Sequence, residues 1–338
     1  MNIITKRVEI QLDMYKVLRE LSNVHGVAGD EKRTAEAVKD SIQKYTDDTV
    51  IDKFYNVIGY KRGSAQKKIM ICTQIDEPGF IIDSITNNGF IKVVKIGEFD
   101  INAVWLNDVI VHGKKDIPGI LVSRPAKLIK QESRKEIFID TGLSKTELQF
   151  IVSIGDPVSL KIKPLCLKDD MILAKIKNNA CGIMILTEIA ERVFNMNLDC
   201  QLYYVGDSQK EIGCNGAIIS ANRIQPDLAI IIGKILETEE ENESDFIGKG
   251  PIFCKSPYIN TNYYNLLVEV ANQENIPYQV EVQGGQFKKA NEALQISNLG
   301  IPTISVGIPI RYKNSAIQTI CVEDLENIER VIVKLLQK

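Results

Sequence analysis

The side chains best placed for chemistry stand in two short runs. One is Gln209-Lys210-Glu211-Ile212-Gly213, which follows the apolar run Tyr203-Tyr204-Val205 and leads into a stretch of small residues. The other is Gln74-Ile75-Asp76-Glu77, which follows the apolar run Lys68–Thr73. Each reads as a strand whose end delivers long polar groups, and open α/β sheets bind ligands outside the carboxyl ends of their strands. Asp76, Glu77, Lys210 and Glu211 then share one edge. One ammonium beside two carboxylates is a workable charge balance for a metal-free pocket, so Lys210 is expected to pair with Asp76 and Glu211. Lys210 serves as base or nucleophile only if burial depresses its pKa strongly, and no other feature of the sequence supports that reading. The chain has just two histidines, His25 and His112, both read as surface or packing residues. Cys181 and Cys214 are read as core cysteines. Gly248-Lys249-Gly250 lacks the flanking strand and helix of a phosphate loop.

The elements that must position these groups follow from periodicity. Helices are expected over 8–23, after Asp30 (read as an N-cap), over 178–196, 214–222, 262–275, 288–299 and 322–336, with strands over 50–54, 56–61, 68–73, 201–205, 227–232, 278–282 and 301–306. Ile183, Leu186, Ile189 and Val193 share one face of their helix, as do Leu325, Ile328, Val331, Ile332 and Leu335. Strands alternating with helices imply a mostly parallel sheet covered on both faces. From Phe80 to about Lys163 the texture changes to short strands broken by Gly, Pro and Asn turns, almost without helical periodicity. The fold class is therefore α/β, a mostly parallel sheet flanked by helices. Residues 1–75 and 164–338 form that discontinuous domain, and 76–163 an inserted small all-β domain.

Composition adds exclusions. With 338 residues, 44% hydrophobic, 25% charged and a net charge of -3, the chain reads as soluble and globular and favours neither nucleic acid nor an anionic membrane. No apolar run is long enough to span a bilayer and no secretory leader is visible. Seven scattered cysteines, never spaced C-x-x-C, point to reduced thiols and a cytoplasmic protein.

Several segments in the same order resemble the glutamyl or deblocking aminopeptidases, dizinc enzymes that form tetrahedral particles. They include the Gly-Val-x-Gly loop at 26–29, Asp76-Glu77 followed at once by the β insertion, Ile117-Pro118-Gly119, Gly155-Asp156-Pro157, Gly248-Lys249-Gly250-Pro251, Ile276-Pro277-Tyr278-Gln279 and Ile308-Pro309-Ile310-Arg311-Tyr312. The resemblance implies a zinc-peptidase-like fold, a β insertion used for dimer contacts or as a lid, and a site of two zinc ions with five protein ligands. Carried over residue by residue, the first ligand position, a His in the family, is Gln74, and Asp76 is the residue that orients it. The bridging carboxylate falls at Asn178, followed by Asn179. The general base falls at Lys210 and the next ligand at Glu211. The following Asp falls at Gly233 (or Lys234), and the last His at Asn314. Glu77, Arg311 and Tyr312 complete the pocket, and the family's Gly-Gly-Thr-Asp stretch reads Gly284-Gly285-Gln286-Phe287.

On that reading one ligand of five survives, and it is joined by a cation. An ammonium about 4 Å from Zn²⁺ is unfavourable by several kcal/mol even at an effective dielectric near 20. The sequence therefore implies an aminopeptidase homologue that has lost its dizinc site and base: a non-catalytic peptide-binding or assembly protein without a cofactor. It would form a homo-oligomer, a dimer or a dodecamer, alone or with active paralogues. The alternative is an active metal-dependent aminopeptidase whose atypical site takes zinc, cobalt or manganese.

Overall fold

The computed structural model describes residues 14–123, 136–168, 170–175, 179–234, 246–284, 294–295, 297–298, 300–312, 315 and 317–338. Its centre is an eight-stranded sheet in the order β1-β2-β12-β3-β13-β16-β14-β15. The strands are β1 (Asp48–Ile51), β2 (Val57–Lys61), β3 (Lys68–Gln74), β12 (Gln201–Asp207), β13 (Leu228–Lys234), β14 (Ile252–Lys255), β15 (Gln279–Val282) and β16 (Thr303–Ile308). The middle four, β12, β3, β13 and β16, run parallel. They are near-continuous apolar runs, as strands covered on both faces must be.

Helices supply the cover. Residues 14–22 form α1, followed by α2 (Lys32–Ile42), α3 (Lys145–Ile151), α4 (Asn179–Val193), α5 (Asn215–Ile224), α6 (Thr261–Gln273) and α7 (Val322–Leu335). The faces read from the sequence are the buried ones: Ile183, Leu186, Ile189 and Val193 on α4, and Leu325, Ile328, Val331, Ile332 and Leu335 on α7. Helices α4 and α7 pack on one another, α4 against β3 and α7 against β16. No described helix is long and apolar enough to cross a membrane. The helix expected over 288–299 falls largely outside the described residues.

Between β3 and α4 the chain builds a closed barrel, β4-β5-β8-β7-β6-β9. Its strands are β4 (Gly79–Ile85), β5 (Ile91–Ile96), β6 (Asp108–His112), β7 (Asp116–Ser123), β8 (Ile137–Asp140) and β9 (Pro157–Leu160). It has its own core of Phe80, Val93, Val111, Leu121, Ile139 and Val158. A small antiparallel sheet, β10 (Leu165–Cys166), β11 (Met171–Lys175) and β17 (Ile317–Cys321), completes the fold.

Three local expectations need correction. Helix α3 sits inside the stretch read as all-β and almost without helical periodicity; at seven residues it is too short to show a period, but Ser144 and Glu147 form a capping box at its start. Asp30 does not cap α2: the cap position is Glu31, whose carboxylate is turned elsewhere. The first strand ends at Ile51, because the Asp52 carboxylate accepts from Phe54 N and Asn56 N and bends the chain, with Tyr55 at φ 65.

Candidate functional site

The parallel register brings the two chemical runs to one edge. Asp207 lies opposite Gln74 across β12 and β3, while Gly233 and Lys234 lie opposite Gly307 and Ile308 across β13 and β16. Beyond β3, Ile75 N donates to Asp207 O at 2.9 Å, and Gln74 Nε2 donates to Asp76 O at 3.0 Å. Beyond β12, residues Lys210–Ile212 make one 3₁₀ turn between two left-handed residues, Gln209 (φ 55) and Cys214 (φ 57). Such conformations are unfavourable by about 1 kcal/mol or more each for residues with a Cβ and persist only where neighbours over-determine them. Glu31 Oε1 accepts from Gln209 N at 3.0 Å and Gly29 N at 2.9 Å. Asn56 Oδ1 accepts from both Ser208 N and Ser208 Oγ at 2.9 Å.

Asp76 sits at the centre of this edge, fully buried. Its Oδ2 accepts from Glu211 N at 2.8 Å, and its Oδ1 has no hydrogen-bond partner. Burial pushes its carboxyl well above the ordinary range; nearby Glu211 and Asp207 push the same way, and the Glu211 and Lys210 backbone N–H groups oppose. Burial also lifts Asp207 to about 7, with Lys210 opposing.

The ion pair expected of Lys210 is absent: among the described residues Lys210 bridges neither Asp76 nor Glu211. The 3₁₀ turn offers Asp76 the backbone N–H groups of Lys210 and Glu211 instead of the ammonium. Glu211 is turned toward the barrel, where its Oε2 accepts from Glu98 N at 3.3 Å. A Cβ at Gly97 (φ 79) would stand 2.6 Å from that oxygen. The buried ion pair at this edge is another one. Lys175 Nζ, at the end of β11, lies 2.7 and 2.8 Å from the two oxygens of Glu77, with side chains 9% and 3% exposed. Sequence reading passed over Lys175; the only signal available was a lysine closing an apolar strand.

The other positions are scattered in what they offer. Asn178 and Asn314 lie outside the described residues, as do Gly285, Gln286 and Phe287, and Asn179 is described only as the first residue of α4. An added Cβ at Gly233 would meet nothing within 4 Å among the described residues. Arg311 N donates to Thr319 O at 3.0 Å, and Tyr312 is exposed at φ 66. Cys181 and Cys214 are buried, their thiols pushed up to about 12 and about 11, which suits core residues rather than nucleophiles. Neither histidine lies on the surface: His25 and His112 are buried and stacked on each other. Among the described residues no three His, Cys, Asp or Glu side chains converge as metal ligands do.

Comparison with known proteins places this geometry. The family profile of the M42 glutamyl aminopeptidases matches residues 55–331. A putative aminopeptidase of Acetivibrio thermocellus is 28% identical over 335 residues, covering 95% of this chain and 98% of that protein. The solved structure of aminopeptidase APDkam598 from the archaeon Desulfurococcus kamchatkensis superposes with a TM-score of 0.89 at 25% identity, covering 97% of this chain and 95% of that one. The Pyrococcus horikoshii TET1 peptidase, which can assemble into a tetrahedron or a large octahedral shell, superposes with a TM-score of 0.84 at 23% identity, covering 96% and 99%.

Proposed function

Because the chain belongs to the M42 glutamyl aminopeptidase family, we propose that it keeps the family scaffold without its metal-dependent chemistry and acts as a peptide-binding or assembly protein. The observation that carries this reading is the donor set at the sheet edge. Gln74 presents an amide hydrogen-bonded to its own loop, Gly233 presents no donor, and Glu211 is engaged with the barrel. Asn178 and Asn314 are amides by sequence. Zinc and cobalt are held by imidazole, thiolate and carboxylate, and a two-metal site sets its ions about 3.5–4 Å apart with several such ligands around each. The residues present do not fit a pair of such ions, and Lys210 occupies the position from which a carboxylate would draw a proton.

In this reading the sheet edge, where Asp76, Glu77 and Glu211 stand, is the place for a peptide. On the barrel, which this reading takes as a domain inserted over 76–163, Leu106, Phe150 and Ile154 are exposed. Apolar side chains of that size on a surface suit contacts between copies of the chain, so the protein would work as a homo-oligomer, a dimer or a dodecamer, alone or with active paralogues. The test is elemental analysis of purified protein beside turnover of aminoacyl-nitroanilides. The expected result is well under one metal per subunit and no turnover above background. Two metals per subunit, or turnover that a chelator abolishes, would establish the second reading: an active enzyme holding zinc, cobalt or manganese in an atypical site. One observation favours that alternative, the buried Asp76 Oδ1, an acceptor with no donor.

A further inference from the structure

The two histidines of the sequence come from opposite units and meet. His25 belongs to the loop between α1 and α2, and His112 ends β6 of the barrel. Their rings stack with centroids 3.6 Å apart and planes 18° from parallel. The residues are 5% and 9% exposed. His112 is held on the barrel side, Nδ1 3.0 Å from Asp116 Oδ1 and Nε2 2.9 Å from Ser159 Oγ. The His25 Nδ1 has no hydrogen-bond partner and lies 3.9 Å from Asp30 Oδ2. The same seam carries further joints between the units. Ala28 N donates to Glu77 O, Glu77 N donates to Gly26 O, and Arg33 Nη1 donates to Asp116 Oδ2 at 3.0 Å. A Cβ at Gly79, the start of β4, would stand 2.8 Å from a methyl of Val27.

We propose that the stacked His25–His112 pair is an acid-sensitive clasp between the barrel and the α/β body, closed while both rings are neutral and released as they take up protons. Two neutral imidazoles face to face gain burial and dispersion. Two imidazoliums in the same place repel in a poorly screened seam. The surrounding charges cannot absorb two protons. Asp116, 42% exposed, is already shared between His112 and Arg33, and Asp30 is 46% exposed. Glu77 is paired with Lys175. Glu31 is turned to Gly29 and Gln209. Arg33 and Lys175 add positive charge. Burial, then His112 and Arg33, with a smaller push from Lys175, hold His25 down to about 3 against the pull of Asp116. Burial likewise lowers His112, assisted by Arg33 and opposed by Asp116 and Glu77.

The sign follows. Both bases bind protons more weakly when closed than when open, where an ordinary value near 6.5 applies. The clasp is intact above about pH 6.5 and weakens as pH falls below it. From pH 7.5 to 5.5 His25 raises the opening equilibrium about tenfold and His112 raises it further by up to about tenfold, so the pair gives up to about a hundredfold. The inference stands whether the sheet edge takes a metal, a peptide or neither.

The test is hydrogen–deuterium exchange of the full chain at pH 7.5, 6.5 and 5.5, corrected for intrinsic exchange. Amides of residues 24–30 and 108–118 should open with that dependence, while those of 325–335 in α7 stay protected. His25→Phe keeps an aromatic ring, loses no Nδ1 bond, and should reduce the rise to about tenfold or less. His25→Phe with His112→Gln should flatten it. A flat wild-type profile, or a full hundredfold rise in the double variant, would overturn the proposal. So would exchange that rises equally in α7. If His25→Phe is open at every pH, His112→Gln alone decides: a tenfold rise supports the clasp and an unchanged one refutes it.

Discussion

At the scale of single residues, the two lysines at the sheet edge have opposite standing. Lys175 neutralises Glu77 in a seam where both are buried, so removing one partner leaves an uncompensated charge. Lys175→Met should destabilise the protein by about 3–5 kcal/mol in denaturant unfolding. Lys210 has no ion-pair partner among the described residues and is half-buried, so Lys210→Met should change stability by about 0.5 kcal/mol or less. If the Lys210 change were the larger of the two, the assignment of the buried pair would be wrong. An added Cβ at Gly233 would meet nothing within 4 Å among the described residues, and Gly233→Asp should fold with a loss of under about 1 kcal/mol. The aspartate alone should recruit no zinc in a metal titration, because it would still lack imidazole partners.

At the scale of elements, the strained turn after β12 and the barrel loop above it are held by a few specific bonds. Gly97 combines a left-handed backbone with contact to Glu211 and to Pro78 Cβ at 2.8 Å, so Gly97→Ala should lose about 1–3 kcal/mol in thermal unfolding. The first residues of α7 act on a distant segment. Asp324 accepts from Gly248 N at 2.8 Å and Gly250 N at 2.7 Å, which is what the Gly-Lys-Gly run serves. Burial pushes that carboxyl up to about 6 against those two donors. Its folded value is raised, so its contribution is greatest below the unfolded value and is lost as pH rises through about 6. Asp324→Asn should therefore flatten the fall in stability between about pH 4 and 6, a change readable as melting temperature against pH.

At the scale of the whole molecule, the barrel and the α/β body have separate cores. Phe150 and Ile154 of the barrel segment are exposed. Light scattering should return a mass that is a multiple of the chain, and Phe150→Asp with Ile154→Asp should lower it while leaving the melting temperature within a few degrees. An unchanged mass would place the assembly contacts elsewhere.

The strand–helix alternation and the buried faces of α4 and α7 were legible in the sequence, because burial on a regular element imposes a period. The amides and the glycine on which the proposed loss of the metal site rests were legible too, because side-chain chemistry is written in the chain itself. What only tertiary structure decided was which charges meet. Lys175 and Glu77 stand 98 residues apart, His25 and His112 87 apart, and no local period links either pair. Lys210 looked placed to neutralise Asp76, yet the 3₁₀ turn sends its backbone there instead. Pairing in a buried seam depends on the direction each side chain leaves a fixed backbone, and packing of distant elements sets that direction.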